Sequence, residues 1–218
     1  MIPIPYRDEN PSKSFPILTV ILILVNIYFY LVPNLRGTHD VLITNFGFIP
    51  HHILANPLGL LTSLFLHANL LHLISNMWFL WLFGDNIEDS YGRLSFLSIY
   101  LVSGLVGNFS HAILTGFTSQ IPLIGASGAV AGVMGAYLVR FGTKKIRCLW
   151  LLIIFPVFFS IRAFWFIGFW FLFEFLAAFS FAPSNVAHWA HVGGFVYGFW
   201  WSLRKNERLR VSRLKRYI

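Results

Sequence analysis

Residues 124–137 read IGASGAVAGVMGAY, a run of small residues carrying one hydroxyl, Ser127, between Ala126 and Gly128. Gly125, Gly128, Gly132 and Gly135 recur at spacings of three, four and three, which places them in one stripe along a helix. Small residues at this spacing let two helix backbones approach closely inside a membrane. The stretch therefore poses a question of fold, which helix comes close, and one of chemistry, whether Ser127 is a nucleophile. A serine in such a stripe is ordinarily packing alone. Only partners brought to the same place give it chemistry.

Composition sets the environment. Of 218 residues 57% are hydrophobic and 11% charged, with a mean hydropathy of +0.69, whereas a soluble domain carries about 25% charged residues. The chain reads as an integral membrane protein. Its net charge of +8 is concentrated: seven Lys and Arg lie in the last fifteen positions, and Arg140, Lys144, Lys145 and Arg147 follow one apolar segment. That pattern suits cytoplasmic flanks of membrane helices, and no nucleic-acid partner is expected. The single cysteine, Cys148, excludes an intramolecular disulfide. The first apolar run has no small-residue cleavage site and reads as a retained span.

Seven apolar stretches have spanning or near-spanning length: Phe15–Val32, Leu70–Phe83, Leu94–Leu114, Ser127–Phe141, Ile146–Phe159, Phe164–Phe179 and Asn185–Leu203. Six crossings with both termini cytoplasmic put fifteen of the sixteen Lys and Arg inside and leave only Arg36 outside. The stretch that does not cross is Ile146–Phe159, which is short, interrupted by Pro156 and bracketed by Lys145 and Arg162. It is expected to be interfacial or re-entrant. The expected fold is an all-α, six-span bundle: residues 1–14 a cytoplasmic segment, 15–203 the membrane domain, 204–218 a basic cytoplasmic tail. The connection from Pro33 to about Ser63 lies outside and is long enough to need a role or structure of its own.

In this topology spans two, four and six all begin at the outer side. Span two brings His67, His72 and Asn76, span four Ser127, and span six His188 and His191 to a similar depth. Intramembrane polar side chains are costly and face the bundle interior, so their convergence marks a site. His191, Gly194 and Gly198 form a second small-residue stripe, which would bring span six against span four and the His191 imidazole to the Ser127 hydroxyl. His72 and Asn76, four apart, share a helix face from which donors can meet a developing oxyanion, joined by the Ser127 backbone N–H at a helix start. Zinc on His67, His72, His188 and His191 is the chemical rival. It is disfavoured because no HExxH occurs and no Asp or Glu is expected near these histidines to act as base.

At these residues the chain resembles the rhomboid family of intramembrane serine proteases. The resemblance rests on HANLLHLISN in span two, GDNIEDSYG after it, GASG opening span four and AHVGGFVYG in span six, in that order from about Leu58 to Leu203. It implies a Ser–His dyad with no third acidic member, here Ser127 and His191, and an oxyanion hole from His72, Asn76 and the Ser127 amide. It implies hydrolysis of peptide bonds in or beside transmembrane segments of protein substrates, without a cofactor or metal. The expected home is a prokaryotic cell membrane, with the site opening to the extracytoplasmic side. A non-catalytic binder of transmembrane segments on the same fold and a small transporter are the other functional readings.

The chain departs from the family at several places. Leu58 and Gly59 stand where many relatives carry Trp-Arg in the first outer loop. Ala131 stands where some place an aromatic residue under the histidine, so another side chain must orient His191. Glu174, alone in FLFEFL, reads as a protonated structural acid ahead of a gate-lining one. Glu88, with Gly84 and Gly92, reads as a turn-fixing network.

Overall fold

A computed structural model of the chain describes residues 3–10, 12–152, 155–180 and 185–214. The small-residue stretch opens helix α6 (Ser127–Phe141), in which every residue from Gly128 to Tyr137 is buried. A helix buried all round is the hub of its domain. Helix α8 (His188–Leu214) lies along it so closely that a Cβ on Gly194 would strike the Gly128 carbonyl, and one on Gly198 the Gly132 carbonyl. Helix α5 (Arg93–Thr115) closes against the same seam, with Gly107 packed on Ala190 and on the Gly128 backbone. Glycine is required at these contacts because backbone meets backbone.

Around this seam stand α4 (Leu70–Tyr91), whose Phe83 ring packs edge-on to Tyr137 at 4.9 Å, and α1 (Ile17–Leu35). Helix α1 buries only Thr19, Leu22 and Asn26, a narrow stripe, and turns Leu24, Tyr28, Leu31 and Leu35 outward. Its first turn has no side-chain cap of its own. Buried Glu88 of α4 supplies one, accepting from Leu18 N (3.0 Å), Thr19 N (2.8 Å) and Thr19 Oγ1 (2.9 Å). Such a carboxylate satisfies orphan donors and complements the positive end of the helix dipole. Glu88 thus ties α1 to α4, a longer reach than the turn-fixing role expected of it. Gly92, at φ +82°, makes the turn into α5.

By length and composition α1 and α5 can each cross a membrane. A third span results if α3 (Gly59–Thr62), the turn Ser63–Phe65 and α4, bent by 90°, count as one. Helices α6 and α7 (Ala163–Ala177) are shorter apolar helices of 15 residues each. The long connection expected on the outer side has structure of its own, in α2 (His39–Phe46), a 3-10 turn at Pro50–His52, and α3. Fully buried Phe48 pairs through its backbone with Leu123, which fixes this connection to the segment leading into α6. Gly59 belongs to the same join, since a Cβ there would lie 2.8 Å from the Gly47 carbonyl oxygen.

The fold is mostly helical but not all-α. The stretch expected to be interfacial or re-entrant forms two strands, β2 (Lys145–Leu152) and β3 (Phe155–Arg162), antiparallel from Lys145↔Arg162 to Leu152↔Phe155. The N-terminal segment adds β1 (Ile4–Asp8) on the far side of β2, in the order β1-β2-β3. Trp78 of α4 donates from Nε1 to Pro5 O at 2.6 Å and pins β1 to the helices. The run is rich in β-branched and aromatic residues, which suit a strand, and Pro156 is tolerated because β3 is an edge. Helix α8 continues past the expected span end at Leu203 into the basic tail.

Candidate active site

Ser127 is the first residue of α6 and is partly exposed. The residue two before it, Gly125, has φ +124°, a conformation L side chains rarely adopt, and donates its N–H to Ser63 O at 2.9 Å. This turn does more than start the helix. A Cβ on Gly125 would fall 2.7 Å from both Cε1 and Nε2 of His72 and 3.7 Å from Ser127 Oγ. The missing side chain is therefore what lets the His72 ring and the Ser127 hydroxyl face the same small volume.

His72 is set at the start of α4, where Asn69 caps the helix by accepting from His72 N at 2.9 Å. The His67 ring meets His72 edge-on at 5.0 Å; His67 is buried, and both its ring nitrogens lack a partner among the described residues. Buried Asn76 donates one amide hydrogen to His72 O at 3.1 Å, which fixes its head group one turn below the imidazole.

His191 enters from α8. Its neighbour Ala190 packs on Gly128, the residue after Ser127, with 3.3 Å from Ala190 O to the point a Gly128 Cβ would occupy. His191 lies within electrostatic range of His72 and of His111 on α5. Ser127, His72, Asn76 and His191 thus converge from three helices. Ser127 Oγ makes no hydrogen bond among the described residues, to His191 included. Dyads often tighten only once substrate is bound.

The sequence reading errs on the acid. Glu174 of α7 is no lone carboxylate: its Oε2 accepts from Nδ1 of His191 and from Nδ1 of His188, each at 2.7 Å. The three side chains are 8%, 12% and 15% exposed for Glu174, His191 and His188. The expectation that no acid neighbours these histidines is corrected here, because α7 and α8 form a hairpin that brings residues 14 and 17 positions apart together. Trp170, one turn before Glu174, lies 6.0 Å from the His191 ring at 31°. These two α7 side chains hold the imidazole that Ala131 cannot support.

Their donor atoms all lie within 4.8 Å of one another, and a carboxylate with two imidazoles is a set that zinc accepts. The spacing in this structure is that of hydrogen bonds. Ligands at about 2.0–2.1 Å from a tetrahedral zinc stand about 3.3 Å apart, whereas these donors sit 2.7 Å from the carboxylate oxygen. That separation is a charge-assisted hydrogen bond.

Comparison with known proteins agrees with this architecture. A model of the rhomboid domain matches residues 55–206. The chain is 30% identical over 196 residues to rhomboid protease GluP of Bacillus subtilis, which covers 88% of this chain and 34% of that protein. It is 31% identical over 140 residues to the mitochondrial RHOMBOID-like protein 6 of Arabidopsis thaliana, covering 64% of this chain and 41% of that one. With the mitochondrial presenilin-associated rhomboid-like protein of Rattus norvegicus it shares 26% over 213 residues, 88% of this chain and 49% of that one. The chain spans about a third to a half of the length of these relatives. The domain match covers well over half of the chain and takes in every residue of the site, and the chain belongs to the rhomboid family.

Proposed function

We propose that this chain is an intramembrane serine endopeptidase that cleaves peptide bonds in or beside transmembrane segments of membrane proteins. The observation that carries the reading is the cradle at Gly125, where the His72 ring and the Ser127 hydroxyl share one volume, beside the glycine seam that seats His191. Ser127 Oγ gives its proton to His191 Nε2 and attacks the carbonyl carbon. The oxyanion is met by the Ser127 backbone N–H at the start of α6, by His72 and by Asn76. His191 returns the proton to the departing amine, which leaves an acyl-enzyme on Ser127. Water then gives a proton to His191 and attacks the acyl carbon, and the bond to Ser127 Oγ breaks as His191 returns that proton to the oxygen, which frees the acid.

A membrane setting follows from the family and the apolar helices, and the six-span topology with both termini cytoplasmic is part of the proposal. The charge distribution supports it, with Lys and Arg gathered in the α6–α7 connection and the C-terminal tail. The same orientation opens the site toward the extracytoplasmic side of a cell membrane.

The test is reaction of the detergent-solubilised protein with a fluorophosphonate probe, beside cleavage of a transmembrane-segment substrate. Wild type should label and cleave. Ser127→Ala should do neither, and His191→Ala should lose at least about 1,000-fold in cleavage. Equal labelling of folded Ser127→Ala would remove the assignment, and a folded wild type that neither labels nor cleaves would favour a non-catalytic binder.

A further inference from the structure

We infer that Glu174 is a positioning residue for His191, turning the Ser–His pair into a carboxylate–histidine–serine relay; this rests on the serine-endopeptidase reading. The helix it belongs to, AFWFIGFWFLFEFLA, has no other charged group. A carboxylate inside such a wall is costly unless it is paired. Here the pairing is specific: both partners come from the first turn of α8, and both use Nδ1 on the same oxygen.

The chemistry follows from the ring. A neutral imidazole carries one proton, and a carboxylate 2.7 Å from Nδ1 holds that proton there. Nε2 is then the only lone pair the ring can offer, which is what the general base for Ser127 needs. Once the Ser127 hydroxyl proton has moved to Nε2, with the Nδ1 proton still in place, the ring is a cation and Glu174 is its counter-ion, in surroundings where the pairing is strong. His188 donates to the same carboxylate oxygen and Trp170 backs the ring. Among the described residues, His191 also lies within electrostatic range of His72 on α4 and His111 on α5, both imidazoles. Glu174 is thus the one anion placed to serve it among the described residues.

The experiment compares Glu174→Gln and Glu174→Asp with wild type in cleavage kinetics, fluorophosphonate labelling and thermal unfolding. Gln keeps an acceptor for Nδ1 but removes the charge, whereas Asp keeps the charge and withdraws it by one methylene. The expected result is a kcat for Glu174→Gln about 10- to 100-fold below wild type, with KM within about twofold and Ser127 labelling slowed in parallel. Glu174→Asp should recover part of that kcat. In a nitrogen-labelled histidine sample the Nδ1 proton of His191 should give a strongly downfield resonance, present in Ser127→Ala and displaced in Glu174→Gln.

Wild-type kcat in folded Glu174→Gln, or Asp no better than Gln, would overturn the inference and leave the protease reading standing. Cleavage abolished by a zinc chelator and restored by zinc would overturn it in favour of a metal on the same three residues. A wild type with no Ser127-dependent cleavage would bring down the protease reading itself.

Discussion

Gly198→Ala probes the seam that every part of the site depends on. A Cβ at residue 198 would fall 2.5 Å from the carbonyl carbon and 2.7 Å from the Cα of Gly132, and nearer still to its carbonyl oxygen. All are backbone atoms of the most buried helix, so no rotamer change relieves the clash. Restoring carbon–carbon contact at about 3.5 Å parts the two helices by roughly 1 Å, and a gap of that size forfeits about a quarter to a half of the dispersion of the atoms lining it. Overpacking of a core typically costs about 1–3 kcal/mol, and a backbone-to-backbone clash belongs at the top of that range, about 3 kcal/mol. Turnover should fall as well, on the order of 100-fold for a misplacement near 1 Å, since Ser127 opens one of the two helices being parted and His191 lies in the first turn of the other.

Gly168 supplies the control. It lies in the middle of α7, where an added Cβ would meet nothing within 4 Å and the φ is not positive. Alanine there should be neutral or gain about 0.5–1 kcal/mol through helix propensity alone. Unfolding in mixed micelles by titration with SDS, followed by far-ultraviolet circular dichroism, measures both variants. A Gly198→Ala protein as stable as wild type, or a loss no larger than that of Gly168→Ala, would refute the reasoning.

The remaining predictions lie on the opposite, proposed cytoplasmic side. Glu88→Gln leaves one acceptor where a carboxylate serves three donors of α1. It should cost about 3 kcal/mol in the same titration, with fluorophosphonate labelling per folded molecule unchanged. Asp8, held by Tyr137 Oη (2.7 Å) and Asn86 Nδ2 (2.8 Å), has its carboxyl pushed above the usual range by burial. An acid whose folded value is raised binds its proton more tightly in the fold. Its contribution to stability is therefore largest below pH 3.8 and falls as pH rises through the raised value. Asp8→Asn should gain on wild type in melting temperature from pH 4 to pH 7; a difference that stays flat or reverses across that range would contradict this.

Much of the helical frame is legible in the chain because membrane helices advertise length and apolarity. The expected Ser127–Phe141 coincides with α6, and Leu94–Leu114 falls within one residue of α5 at each end. The glycine seam is legible for the same reason, since spacings of three and four admit one geometry. The strands are not. From Ile146 to Phe159 the run is apolar without steady alternation, and such a run reads equally as buried helix or buried strand. What decides it is a pairing partner at Ile4–Asp8, at the opposite end of the chain's first two-thirds, which no local pattern announces.

Glu174 shows where legibility depends on how the sequence is read. Matching depth among spans that begin at the outer face gathers Ser127, His72 and His191. In the proposed six-span topology span five ends at that face, and its last turn holds Glu174, three residues before the end of α7. His188 and His191 lie in the first turn of α8. In an antiparallel helix pair, residues equally far from the connection stand side by side, so the acid and the two imidazoles share a depth by counting alone. Counting cannot give the helix face. Both histidines point at one carboxylate oxygen only because α7 turns Glu174 inward while Phe173 and Leu176 beside it face out. That orientation is set by the Trp170 and Phe171 packing on His191 and Phe195, a contact between helices that one-dimensional periodicity does not contain.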